Sequence, residues 1–193
     1  GSARSHGRSS SAELSSIGLA LSTSSRHPLV AGWFGVLRHA AAVGAFYAAL
    51  FSLFFLPALA NGRLLAPGDG LVQNLPQFLL QPTLWTSMSF GGYPLFADPQ
   101  NLFYDPLRWL FSPFGAWNAF VLSAYVVAAL AMYGYVLRVT ASRLAGLTAG
   151  LVYAMSGFFV AQLGHVNMLH TVAWLPLVVW SVDELRRGSG PGW

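Results

Sequence analysis

The chain has 193 residues, of which 55% are apolar and only 8% charged, and it contains no cysteine. Soluble domains carry about a quarter of their residues as charges, so this composition, with a mean hydropathy of +0.55, excludes an ordinary soluble fold and points to an integral membrane protein. Disulfides and thiolate metal sites are excluded as well, and the net charge of +4, carried by arginine without lysine, reads as a topology signal rather than a nucleic-acid surface because the arginines lie mainly at the ends of apolar segments.

Residues 1–27 are rich in Ser, with Arg4, Arg8 and Arg26 against the single acid Glu13, and cannot form a core. A solvated cytoplasmic tail is expected, although the same composition fits a transit peptide. Pro28 to Leu37, with Trp33 and Phe34, reads as an interfacial segment ahead of Arg38 and His39. Ala40 to Ala60 is uncharged and has the roughly 20 residues needed to cross about 30 Å of hydrocarbon. Further spans are expected at Trp117 to Leu137, Leu144 to Leu163 and about Met168 to Val182, the last kinked at Pro176. A short tail follows at residues 188–193. The predicted fold class is therefore all-α, a polytopic transmembrane helix bundle, with residues 1–39 as tail and interfacial segment and residues 40–187 as the membrane domain.

Between the first two spans lies a long loop, residues 61–116, whose only charges are Arg63, Asp69, Asp98, Asp105 and Arg108, outnumbered by aromatic residues such as Trp85, Tyr93, Phe103 and Trp109. Side chains with an apolar body and a polar tip favour the headgroup layer, so the loop is expected to lie on the membrane in short interfacial helices. Arg4, Arg8, Arg26, Arg38, Arg138, Arg143, Arg186 and Arg187 fall on one side of a four-span arrangement and only Arg63 and Arg108 on the other. By the positive-inside rule the N-terminus is cytoplasmic. The Asp69 loop and the segment GHVNMLH then share the outer face and can meet.

Asp69 sits in Pro67-Gly68-Asp69-Gly70, which reads first as a turn. The alternative is a carboxylate held at the membrane surface as a base, its pKa raised by partial desolvation. Gln73 and Gln77 follow at helical spacing and line the same site if a short helix begins at Leu71. The stretch from Phe90 to Gln100 combines two glycines, two X-Pro steps and Asp98, and forces an irregular path. Asp105-Pro106 beside Arg108 reads as a helix start with a local charge pair. His165 and His170 can bring imidazoles towards Asp69, as weak metal or phosphate candidates, with interfacial hydrogen bonding the better reading. Gly146, Gly150 and Ala154, followed by Gly157 and Ala161, let helix backbones approach and read as packing. No phosphate-binding glycine loop, nucleophile triad or HExxH motif is present.

The runs LAPGDGLVQNLPQF, FGGYPLFADPQNLFYDPLRWLF and LRVTASRLAGLTAGLVYAMSGFFVAQLGHVNMLHTVAWLPLVVW, in that order, resemble the N-terminal part of the bacterial YfhO-like membrane proteins, over about Asn61 to Arg187. The resemblance implies a GT-C-type glycosyltransferase of the bacterial cytoplasmic membrane, a multi-spanning enzyme that uses lipid-phosphate sugars and carries an acid in its first outer loop, here Asp69. Members are longer and have more spans, so the chain is expected to be the front of a larger enzyme. On this reading a sugar passes from a polyprenyl-phosphate donor to a cell-envelope acceptor, with Asp69 as general base and Gln73, Asp98, Gln100, His165 and Asn167 holding the donor. Arg63, His165 or a divalent metal would balance the leaving phosphate; no cofactor motif is present, and no nucleic-acid partner is expected. The competing classes are a transporter or flippase component, disfavoured because no acid lies within a span, and a non-catalytic membrane scaffold.

Overall fold

The computed structural model describes residues 28–80, 83–87 and 91–188; the expected tails at residues 1–27 and 189–193 lie outside them. The chain separates into two units, residues 1–39 and 40–193. Of the first, residues 28–39 are described and are helical. Among the described residues there is no strand, only an isolated bridge between Thr86 and Tyr93. The all-α prediction therefore holds.

Helix α1 is Pro28–Phe54 and α2 is Leu56–Leu59. The break at Phe55 follows from Pro57, which has no N–H for the carbonyl of Leu53 but fits the first turn of a new helix. The loop carries a π-turn at Gly70–Asn74, α3 at Leu75–Leu79, two 3-10 turns between Leu95 and Asn101, and α4 at Pro106–Phe111. Then come α5, Trp117–Thr140, α6, Arg143–Ala154, and α7, Gly157–Ala161, which ends in a 3-10 turn at Gln162–Gly164. Helix α8 is Val166–Ala173 and α9 is Leu175–Arg186.

Among the described residues, three stretches are long and apolar enough to cross a membrane: Phe34–Phe54, Trp117–Thr140 and Arg143–Gly164. The fourth apolar segment differs from the single kinked helix expected at Met168 to Val182. Its helix starts at Val166, so the anticipated outer turn is largely helical, and it divides at Trp174 into α8 and α9. Pro176 is the cause: it withholds the N–H that the Val172 carbonyl would accept. The hydroxyl of Tyr153 donates to that carbonyl instead, at 2.9 Å. Similarly, Tyr125 donates to the Phe159 carbonyl at 3.1 Å, within α7, whose end tightens to the 3-10 turn. Broken helices persist in a bilayer where protein groups satisfy the freed backbone.

Helix α5 is the centre of the second unit. Phe120, Val121, Ala124, Tyr125, Ala128 and Ala129 are buried on it, and α6, α8 and α9 pack around it. An apolar helix without a polar face belongs in such a position. Gly146, Gly150 and Ala154 are buried on α6, and the space a Cβ would take at Gly150 is filled by the Tyr47 hydroxyl and the Ala129 carbonyl. The stripe is packing up to Ala154, whereas Gly157 opens α7 with free space beside it. At the arginine-rich end, Arg138 pairs with Glu184 at 2.7 Å and ties α5 to α9.

The start of the loop is pinned to the first turn of α5. The Asn118 side chain accepts from the Leu65 N–H at 2.8 Å and donates to the Arg63 carbonyl at 3.0 Å, while the Trp117 indole donates to the Leu65 carbonyl at 3.1 Å. This pinning sets where the chain re-enters at Pro67 and hence where Asp69 stands.

Candidate functional site

Pro67 to Leu71 folds as a turn, with Gly68 at φ +56° and the Gly70 N–H donating to the Pro67 carbonyl at 3.1 Å. Asp69 precedes the π-turn, but its carboxylate caps no backbone N–H. The backbone is therefore the expected turn, while the side chain is spared the turn's usual bonding. It faces the His165 ring, with Oδ2 3.5 Å from Nε2. Both groups are about half exposed, 59% for Asp69 and 47% for His165, so this protein does not supply the desolvation expected around Asp69.

An exposed ion pair contributes only about 0–1 kcal/mol, too little to bring two distant segments together. Backbone packing does so. Gly164 lies so close to the turn that a Cβ there would stand 2.7 Å from the Pro67 carbonyl oxygen. The buried Asn74 side chain spans the junction, donating to the carbonyls of Asp69 and Gly164 at 3.3 and 3.4 Å. Asn74 and Gly164 were not among the expected site residues, although both lie in motifs that carry the family resemblance. Their role depends on contact between segments 90 residues apart, which spacing does not reveal.

Asp69, Gln73, Asn74, Gln100, His165 and Asn167 line one pocket of about 80 Å³. Five of the six expected site residues are thus together. Asp98 is not; it lines a neighbouring cavity of about 480 Å³ with Gln73, Gln77, Thr86, Tyr93 and Gln100. The amide of Gln73 donates to that of Gln100, and this pair is the wall common to both spaces. Gln77, expected beside Asp69, lines the larger one only. The Asp98 carboxylate accepts from the Gln100 N–H at 2.8 Å and so orients the 3-10 turn that presents Gln100. Burial, then the hydrogen bond and charge of Asp98, raise the pKa of the Tyr93 phenol.

His170 does not join Asp69. It is fully buried, stacks on Phe120 with ring centroids 4.0 Å apart, and pairs through Nδ1 with Asp105 at 2.9 Å. This also corrects the expected local pair of Asp105 with Arg108. Asp105 does start α4, accepting from the Leu107 N–H at 2.7 Å, but its ionic partner is His170. Burial raises the Asp105 pKa, but the His170 hydrogen bond and charge, with the N–H groups of Leu107 and Arg108, together outweigh it, so the net shift is downwards. Arg108 is buried in the loop, donating to the Gln77 carbonyl at 2.7 Å and to the Asn101 side chain at 3.4 Å. Burial lowers its pKa. Among the described residues no three acidic or histidine groups cluster as a metal site; Asp69 and His165 are two potential ligands on one pocket.

The family described as bacterial membrane protein YfhO matches residues 92–193, more than half of the chain. The chain belongs to the YfhO family. No curated protein and no solved structure matches it. The family match spans Asp98, Gln100, His165 and Asn167, while Asp69 and Gln73 precede it. With three crossing-length apolar helices, the chain is a bacterial membrane protein of that family.

Proposed function

We propose that this YfhO-family chain forms the catalytic face of a glycosyltransferase that moves a sugar from a polyprenyl-phosphate donor to a cell-envelope acceptor, with its site on the outer side of the bacterial cytoplasmic membrane. The observation that carries the reading is the Asp69 carboxylate, uncommitted to capping and 3.5 Å from His165, in a pocket otherwise walled by four side-chain amides and Met168. Asp69 accepts the proton of the acceptor hydroxyl as that oxygen bonds to the anomeric carbon. The bond from that carbon to the phosphate oxygen breaks, and the polyprenyl phosphate leaves with the electron pair. His165 beside the pocket donates a hydrogen bond to the leaving phosphate oxygen, as fixed donors do at other oxyanions. Gln73, Gln100 and Asn167 orient the reacting groups, and the exposure of Asp69 leaves room for substrate to complete its surroundings.

Asp69→Asn tests this in the full protein. The amide fits the turn nearly as well as the acid but cannot take the proton. Transfer from a radiolabelled polyprenyl-phosphate sugar in membranes is expected to fall about 10²- to 10⁴-fold at equal expression, the usual contribution of general-base catalysis. Activity within about threefold of the parent, under 1 kcal/mol of barrier, would return Asp69 to a turn role.

A further inference from the structure

The larger of the two adjoining spaces has a size and a chemistry of its own. About 480 Å³ lies within the roughly 300–1,000 Å³ typical of small-molecule sites. The 80 Å³ at Asp69 is only a few times the roughly 30 Å³ share of one water molecule. The smaller space is too small to enclose a sugar ring, although it opens to solvent beside Asp69 and His165. Charge narrows the ligand further. From Leu64 to Leu107 the chain holds three aspartates and no Arg, Lys or His, and the charged group on the larger cavity is the Asp98 carboxylate. The nearest cation, Arg108, is buried behind the wall with its guanidinium bonded to the Gln77 carbonyl and the Asn101 side chain. An anion in the cavity therefore meets the Asp98 carboxylate first, whereas a neutral polyol can donate hydroxyl protons to Asp98 and exchange both donors and acceptors with side-chain amides.

We propose that the cavity lined by Gln73, Gln77, Thr86, Tyr93, Asp98 and Gln100 is a binding site for a neutral hexose ring, and that the Asp69 pocket receives only its reacting end. Gln77 lines the cavity, and its Oε1 is buried without a hydrogen-bond partner, an unsatisfied acceptor that a turn of the amide brings to a ligand hydroxyl. Leu80 and Leu95 supply apolar surface for the C–H face of a ring. The walls are fixed in advance. Thr86 and Tyr93 exchange backbone hydrogen bonds at 2.9 and 2.8 Å, the Tyr93 hydroxyl bonds Asp98, and Arg108 holds the Gln77 carbonyl. The Gln73–Gln100 pair separates the ring from Asp69 by one layer of side chains. The assignment of the ring's reacting end rests on the transferase reading above; the binding itself does not.

The chain reconstituted in lipid nanodiscs, free of glycoside detergents, is titrated by saturation-transfer NMR with glucose, galactose, mannose and N-acetylglucosamine, and with the 1-phosphate of any hexose that binds. At least one hexose is expected to bind saturably. Gln77→Leu and Asp98→Asn are each expected to weaken it about tenfold, 1.4 kcal/mol, with Asp183→Asn at the opposite end as a control for handling. Gln77→Leu removes an amide oxygen that has no partner, so its thermal stability is expected to match the parent, which separates lost binding from lost folding. Tighter binding of the 1-phosphate supports the site as the donor's ring; equal or weaker binding supports it as the acceptor's. No saturable binding of any hexose, or binding that ignores both variants, overturns the proposal. If Asp69→Asn spares transfer while hexose binding follows Gln77 and Asp98, the catalytic reading falls and the binding site stands.

Discussion

Asp105 does two jobs whose sequence signals differ in kind. Capping α4 is local: an acid before Pro106 at a helix start is legible from spacing alone. Pairing with His170 is a contact across 65 residues that no spacing encodes. Asp69 and His165 could be paired from sequence because arginine placement puts both on one face, whereas an acid and a histidine buried together are visible only once α8 packs on α5. The pair predicts a pH dependence. The carboxyl pKa is depressed in the folded state, so its stabilisation is present above the unfolded value of about 3.9 and is lost as pH falls through the lower folded value. Asp105→Asn keeps a capping oxygen but gives up a charge-assisted bond between side chains that are 5% and 0% exposed, at a cost of about 2 kcal/mol at pH 7. Unfolding in detergent is expected to show that gap closing below about pH 4, as the carboxyl is protonated. A gap that closes near neutrality would place the stabilisation elsewhere.

The elements show how far apolar patterning reaches. The crossing-length helix ending at Phe54 has its stop written in Pro57, and the division of the last segment is written in Pro176, yet its location at Trp174 depends on what donates to the freed carbonyl. Tyr153 is that group, 2.9 Å from the Val172 oxygen, and nothing around Tyr153 in sequence announces it. Removing the hydroxyl in Tyr153→Phe is expected to cost about 1 kcal/mol, the scale of one intramolecular hydrogen bond, since the Val172 carbonyl also accepts from the Trp174 N–H. In Pro176→Ala an N–H returns at the position where a continuous helix would bond Val172, and the same hydroxyl deletion is then expected to cost under about 0.5 kcal/mol. A double-mutant cycle read from unfolding midpoints in one detergent measures this coupling directly. Additive losses would mean that Tyr153 stabilises through packing against Phe159 rather than through the broken backbone.

At the scale of the molecule, the arginines and the candidate site make one statement about orientation. Of the two arginines on the loop side, Arg108 is 1% exposed inside the loop, bonded to Gln77 and Asn101, and only Arg63 remains at the surface. Arg138, Arg143, Arg186 and Arg187 sit at the other ends of the helices, so the positive-inside asymmetry at the surface is sharper than sequence counting gives. The Asp69 pocket and the amide-lined cavity beside it are therefore expected to face outwards, and the N-terminal segment to face the cytoplasm. Because the chain has no cysteine, a single introduced thiol is a unique reporter. Ser87 is exposed in the loop and Ser22 lies in the N-terminal segment. In intact cells an impermeant maleimide is expected to modify the Ser87→Cys protein and to leave the Ser22→Cys protein unmodified until the membrane is opened. Modification of Ser22→Cys alone would turn the molecule over and put the Asp69 site in the cytoplasm, where a soluble nucleotide-sugar donor would fit it better than a lipid-linked one.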